Sequence, residues 1–264
     1  MDSSYRTPLL DLFRRGEAPD DIRMLAARGA LAPRPHEQLA LLVLLTGDDD
    51  EGVSMAANET IGRIPREALA AFLARHDVGD DLRDFFRLRG VEPAPLPAEE
   101  SEAPLVAEPE NAAATKSEAE PAEADNEATS RRLSKLTVAE RVKRAMLGTR
   151  EERFILIRDV NRLVAAAVLS SPKVNEADVE AFAKMANVSE DVLRTIGAAR
   201  AWMRRYTVTA ALAMNPKTPI AVSLGLVGRL VERDLRMIER DRNMQEPLRA
   251  AARRALANAN ARKT

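Results

Sequence analysis

The chain has no cysteine among its 264 residues, and this single absence excludes disulfide frameworks, thiolate metal sites and thiol nucleophiles. Aromatic residues are nearly as scarce: one Trp, two Tyr and six Phe make up 3% of a chain that is 45% hydrophobic. Its cores must therefore be built from Leu, Ala, Val and Ile, a palette suited to close helix-on-helix packing. Long apolar runs are missing too. The longest, Leu39 to Leu45, has seven residues, far fewer than the roughly 20 that span a bilayer. The opening MDSSYRTPLLDLFRRG has no basic stretch followed by an apolar one of signal-peptide length, so a cytoplasmic chain without a transmembrane segment is expected.

Catalytic signatures are absent as well. No phosphate-binding loop, dinucleotide fingerprint, nucleophile elbow or HExxH pair occurs. The two histidines, His36 and His76, have no companion at metal-ligand spacing and are expected to be surface or hydrogen-bonded residues. Asp48-Asp-Asp-Glu51 lacks the alternating ligands, central Gly and terminal Glu of a calcium loop and is expected to be a solvated turn. The expectation is a protein that is not an enzyme, with no catalytic residue, no cofactor and no metal.

What the chain does have is a split charge. Residues 1–130 carry 13 basic and 27 acidic residues and residues 131–264 carry 27 and 14, so a whole-chain charge of −1 hides halves of −14 and +13. A basic half of that excess exceeds the magnitude of roughly 2–8 that serves solubility in a small domain. Something is expected to offset it: a nucleic acid, an anionic membrane face, an acidic protein, or the acidic part of the chain itself.

Composition divides the chain into three: residues 1–92, residues 93–130 and residues 131–264. The middle segment holds ten acids, one Lys, many Pro and Ala and no aromatic residue. It cannot bury enough apolar area to offset its ordering entropy and is expected to be a disordered acidic linker. In residues 1–92, Pro19 is placed for a first helical turn, Asp20 and Asp21 suit the positive helix end, and Gly29 ends the segment. Asp80-Asp81-Leu82-Arg83 through Gly90 echoes Asp20-Asp21-Ile22-Arg23 through Gly29, with apolar helices predicted at Pro35–Thr46 and Pro65–Arg75 between them.

The C-terminal segment opens with two capping boxes, Thr137-Val-Ala-Glu140 and Thr149-Arg-Glu-Glu152. It also repeats. Asn187-Val-Ser-Glu-Asp-Val192, Asn215-Pro-Lys-Thr-Pro-Ile220 and Asn243-Met-Gln-Glu-Pro-Leu248 lie 28 residues apart, and Ser171-Pro172-Lys173 is a fourth start, 44 residues ahead of Asn215-Pro216-Lys217. Such a pattern predicts stacked helix–turn–helix units, each burying its apolar face on its neighbours. The Asn-Pro-Lys-Thr-Pro stretch at 215–219, followed by Ile220, Leu224, Val227 and Leu230, resembles a repeat of the leucine-rich-repeat-variant and wider HEAT-like α-solenoid group. The resemblance covers residues 137–258, and residues 6–90 loosely; the cysteine cluster of some variant-repeat proteins is absent, so no iron–sulfur role follows. It implies an all-α protein of two α-solenoid-like (HEAT-like) helical repeat domains joined by the linker, with binding surfaces rather than catalysis.

Two sets of residues are candidate binding elements. In Arg200-Ala-Trp202-Met-Arg204-Arg205-Tyr206 basic residues interleave with aromatics, and on a continuous helix Trp202 and Tyr206 share a face flanked by guanidinium groups. Against this stands a core role for the rings, with Arg stems snorkelling along them. The second set is Arg229, Arg233, Arg236, Arg240, Arg242, Arg249, Arg253 and Arg254. The first four members at spacings of four, three and four form one stripe if their helix is continuous, but Val231-Glu232-Arg233-Asp234 looks like a junction that would break it. Solvated helix faces also produce such sets.

The expected role is a non-enzymatic scaffold or adaptor whose C-terminal domain meets a protein partner, with Trp202 as an anchor. The rival is nucleic-acid binding by the same basic face, and in either case an intramolecular contact between the acidic linker and the basic domain competes. A third class, a HEAT-like enzyme acting on DNA bases, needs Trp202, Tyr206, Phe154 or Phe182 gathered around Asp159, Glu190 or Asp191.

Overall fold

A computed structural model describes residues 7–31, 34–94 and 123–261. All regular structure among the described residues is helical. The chain forms two compact units, one of residues 1–156 with 163–173, the other of residues 157–162 with 174–264.

The first unit contains α1 (Pro8–Arg14), α2 (Asp20–Ala27), α3 (Pro35–Leu45), α4 (Glu51–Arg63), α5 (Arg66–Leu73), α6 (Asp80–Leu88), α7 (Glu123–Ser134), α8 (Val138–Leu147), α9 (Arg150–Leu156) and most of α10 (Arg162–Ser170). The echo between the segments at 20–29 and 80–90 is structural. Both helices begin at the aspartate pair, both hold an Arg to the first Asp (Arg23 to Asp20, Arg83 to Asp80), and both end on a glycine in the left-handed region, Gly29 at φ 81° and Gly90 at φ 75°. At each end the next amide reaches back five residues, Ala30 to Leu25 and Val91 to Phe86, which closes a Schellman motif that a side chain at the glycine would strain. Pro19 is the residue before the helix rather than its first turn. α3 and α5 fall where apolar helices are expected, with Pro35 opening one and Pro65 preceding the other. α4, by contrast, lies in a stretch where no helix is expected. Its Ser, Asn, Thr and two Gly are poor helix formers, and it is held through Val53, Ala57, Thr60 and Ile61, which are buried along one face.

Two boundaries differ from those expected. α7 starts at Glu123, inside the segment 93–130, and the disorder expected for 95–122 lies outside the described residues. The break between units does not follow the charge step at 130/131 either. α8 packs on α2, Ser170 at the end of α10 accepts a 3.1 Å hydrogen bond from the Leu9 amide, and Leu9, Val142, Ala145 and Met146 are fully enclosed. α8 and the end of α10 are thus tied to the N-terminal helices, which compositional reading cannot see.

The second unit is three helix pairs: α11 (Glu176–Lys184) with α12 (Glu190–Ala198), α13 (Tyr206–Met214) with α14 (Ile220–Leu226), and α15 (Glu232–Arg240) with α16 (Glu246–Ala261). Short 3₁₀ turns, Trp202–Arg204 and Val227–Arg229, lie between the pairs. α11 packs on α13, α13 on α14, α14 on α16 and α15 on α16. In each pair the second helix begins 14 residues after the first, but first helices begin at 176, 206 and 232, intervals of 30 and 26. The uniform 28-residue register of Asn187, Asn215 and Asn243 is therefore corrected: Asn215 stands at the first position of its turn, where the other pairs have Met185 and Asp241. The cause is twofold: the connections are unequal, seven residues at 199–205 and five at 227–231 counting each 3₁₀ turn, and α12 has nine residues where α14 has seven.

Asn215 occupies that position as a brace. Its side-chain amide donates to the Ala183 carbonyl at 2.7 Å and the Met185 carbonyl at 2.9 Å, closing the end of α11, while its oxygen accepts from the Lys217 amide at 3.0 Å. Ser171 does the same work in the first unit, donating to the Met146 carbonyl at 2.7 Å and accepting from the Lys173 amide at 3.3 Å. The pairing of Ser171-Pro-Lys with Asn215-Pro-Lys thus marks equivalent turns.

Candidate interaction surface

Trp202 is held in the connection between α12 and α13 by its neighbours. Met203 is buried beneath the turn, its amide bonded to the Ala199 carbonyl at 3.0 Å, and the Met203 carbonyl accepts from the Arg229 guanidinium. Arg205 is extended (φ −82°, ψ 123°), which ends the turn and starts α13 at Tyr206. The half-buried Trp202 lines an open depression of about 550 Å³ with Ala201, Val174, Asn175, Glu176 and Ala177. Its far wall is the start of α11, fixed by the capping box between Asn175 and Asp178. Arg205 closes an ion pair across one edge onto Glu176. The neighbouring Arg200 and Arg204 are exposed and make no ion pair among the described residues. The outcome is an open, mostly apolar depression whose lining residues Ala201 and Trp202 have as chain neighbours two exposed arginines without an ion pair among the described residues.

Trp202 and Tyr206 do not share a helix face, because the extended Arg205 separates a 3₁₀ turn from α13. Tyr206 has a different task. Its hydroxyl donates to Asp234 at 2.5 Å and accepts from the Val231 amide at 3.0 Å. Val231 is the residue before α15 and has no capping side chain of its own, so the phenol relays the third-position carboxylate of α15 to the exposed amide. Partial burial and the bond to Asp234 raise the Tyr206 pKa, which keeps the phenol neutral and able to donate.

The arginine stripe is broken as the junction implied. Arg229 closes a 3₁₀ turn, and α15 begins at Glu232, leaving Arg233, Arg236 and Arg240 on one helix. Most of the set is occupied. Arg233 pairs with Asp234, Arg236 with Glu232, and Arg249 and Arg253 both with Glu246, whose pKa the Arg253 hydrogen bond, then the charges of both guanidinium groups, lower. Arg249 also donates to the Glu239 carbonyl at 3.2 Å, closing the end of α15. Arg240, like Arg200 and Arg204, is exposed and unpaired among the described residues.

Several residues carry structural roles that their sequence context does not announce. Arg83 donates to the Leu73 and Arg75 carbonyls and Arg66 to the Gly90 carbonyl, so arginines of the first unit close helix ends. Glu152 is buried between Arg132 at 2.7 Å and Arg144 at 3.7 Å while completing the second expected capping box with Thr149. Glu37 is fully buried in the first turn of α3, with the Thr7 hydroxyl donating to one oxygen and no partner on the other. Burial pushes its pKa up to about 7, against the opposing pull of the Thr7 hydrogen bond and the Arg34 charge. His36 is buried edge-on against Phe72, ring centroids 4.6 Å apart, with Nε2 3.8 Å from Asp77. Asp48 and Asp50 do more than face solvent: Asp50 caps α4 and Asp48 takes Arg23. No group of three or more His, Asp or Glu able to hold a metal occurs among the described residues.

Of the residues that base-directed chemistry would need, Tyr206 meets Asp234, and Asp191 is tied to Arg162 at 2.8 Å and Arg194 at 2.6 Å. No helix among the described residues is long and apolar enough to cross a membrane. No protein-family model, curated protein or solved structure matches the chain.

Proposed function

We propose that the protein is a non-enzymatic adaptor, built from HEAT-like helix pairs of α-solenoid type, that takes an acidic, apolar-centred segment of a protein partner into the Trp202 depression. The observation that carries this reading is the combination at one place of an open apolar floor, a half-exposed Trp in a braced turn, and the unpaired Arg200 and Arg204. A flat aromatic anchor with neighbouring guanidinium groups is the composition of binding hot spots. Duplex recognition would call instead for a run of free cations along one face, and Arg229, Arg233, Arg236, Arg249 and Arg253 are already engaged with carbonyls or carboxylates.

Trp202 is the sole tryptophan, so its fluorescence reads the site directly. Titrating the full chain with a Glu-flanked Leu-Val peptide, and separately with duplex and single-stranded nucleic acid, at low and high salt tests the reading. Saturable change with the peptide, lost in Trp202→Ala/Arg204→Glu by an independent binding assay, is expected. Saturation by nucleic acid alone, with affinity falling steeply as salt rises, would replace the adaptor by a polyanion binder.

A further inference from the structure

The Trp202 depression is one end of a longer apolar line across the second unit. The residues leading into α11, α13 and α15 lie side by side: Val174 and Trp202 line the same depression, the Arg229 guanidinium donates to the Met203 carbonyl, and the Tyr206 hydroxyl accepts from the Val231 amide at 3.0 Å. Two apolar stations result. One is the depression between Val174 and Trp202, both half-buried, and the other is the meeting of Tyr206, 38% exposed, with Val231, 48% exposed. We infer that this edge takes a proline-rich, acidic segment of the partner as a polyproline-II helix, with one apolar side chain in the Trp202 depression and that of the third residue beyond it between Tyr206 and Val231. This rests on the adaptor reading of the Trp202 site.

Spacing selects the conformation. α11 packs on α13, and packed helices stand about 8–10 Å apart, so the stations at their starts are one such step from each other. A polyproline-II helix advances about 3.1 Å per residue with three residues per turn, which returns a side chain to the same face every ~9 Å. An α-helix returns one about every 5–6 Å, and its intermediate side chains would meet Arg204 and Arg205, which separate Trp202 from Tyr206 in the chain, rather than apolar surface. Polyproline-II segments dock in grooves lined by aromatic rings, and Trp202 and Tyr206 supply one ring at each station. Charge selects the sign of the partner: residues 174–177, 199–206 and 227–234 hold five arginines against three acids. The apolar stations, not loose cations, fix the place. Arg240 is exposed too, but it ends α15 at the opposite edge, where the exposed residues of the turns within pairs, at 185–189, 215–219 and 241–245, are polar, Ala or Pro.

The test uses the full chain and three end-labelled peptides, with anisotropy reporting binding and Trp202 fluorescence reporting the site. Glu-Pro-Leu-Glu-Pro-Leu-Glu-Pro sets its leucines three apart on one polyproline-II face, Glu-Pro-Leu-Leu-Glu-Pro-Glu-Pro has the same composition with the leucines adjacent, and the third is a Glu- and Ala-rich helix former with leucines four apart. The native chain is expected to bind the first about tenfold more tightly than the second, the worth of one further apolar side chain placed on the surface. Val231→Ser removes the outer station while leaving the backbone amide to Tyr206 and a good capping residue before α15, and circular dichroism checks that helicity is kept. In this variant the two proline peptides are expected to bind within about twofold of each other, the second as it binds the native chain. Equal binding of the two by the native chain, or a preference that survives Val231→Ser, would overturn the two-station track, as would tightest binding of the helical peptide; a saturable Trp202 response to the second peptide then leaves the adaptor standing. No binding of any peptide, with Trp202 fluorescence unchanged, would remove both.

Discussion

Glu37 and Asn215 are both buried polar residues, and they differ in how completely they are satisfied. Asn215 uses both faces of its amide, with two donated bonds and one accepted. Replacing it by Ala strips the closing donors from one buried and one part-buried carbonyl at the end of α11, and a loss of about 2–3 kcal/mol is expected, read as a lower urea midpoint at unchanged m-value. Glu37 instead leaves one oxygen unpartnered. Because its folded pKa of about 7 lies above its ordinary value of 4.5, the folded state holds the proton more tightly than the unfolded one. Its contribution to stability is therefore full below about pH 4.5, falls as pH rises toward 7, and is constant beyond. Glu37→Gln keeps an acceptor for Thr7 and cannot ionise. Denaturation across this range should show the native chain losing about 3 kcal/mol relative to the variant, which has no carboxyl here to ionise; parallel curves would refute the assignment. Neither role is visible in sequence. The partners of Asn215 lie 30 and 32 residues away and Thr7 lies 30 residues from Glu37, separations at which no local pattern operates.

Helix starts were the most legible elements because their chemistry closes within four residues. The capping boxes at Thr137 with Glu140 and at Thr149 with Glu152 form as read, and so does the junction before α15. The register of the helix pairs was less legible, since a pattern of turn residues registers the turn while the connections between pairs vary in length. The continuity of 200–206 failed for a related reason: apolar and basic residues at helical spacing cannot report that Arg205 is extended. Packing between pairs then sets its own demands. Gly197 on α12 faces α14 so closely that an added Cβ would stand 2.8 Å from a methyl of Val222. Gly197→Ala gains helix propensity of roughly 1 kcal/mol, yet forced separation of the helices costs about 1–3 kcal/mol, so a net loss is expected by thermal melting. Val222→Ala makes room, and the double variant should recover more than additivity allows. A Gly197→Ala chain as stable as the parent would mean that α12 and α14 can part freely at this point.

The charge split that organises the sequence does not organise the structure. Residues 131–156 and 163–173, with nine basic and three acidic residues, belong to the first unit, and the second carries 18 basic and 11 acidic residues. Each unit therefore has a moderate excess, and much of it closes helix ends or pairs with carboxylates buried in first turns. Net charge records composition, whereas the boundary between units is set by which apolar faces cover each other. α8 covers α2, and Ser170 receives the Leu9 amide, so the N-terminal helices are incomplete without α8–α10. This has a direct consequence for fragments. A chain of residues 1–173 is expected to unfold cooperatively, whereas a chain of residues 1–130 exposes the side of α2 that meets α8 and leaves the enclosed Leu9 amide without its Ser170 acceptor. Loss of even 2 kcal/mol lowers the melting temperature of a domain this size by about 4–8 °C, and scanning calorimetry should show at least that shift or no cooperative transition at all. Equal melting of the two fragments would put the structural boundary back at the charge step, and with it the view of residues 131–264 as one basic body.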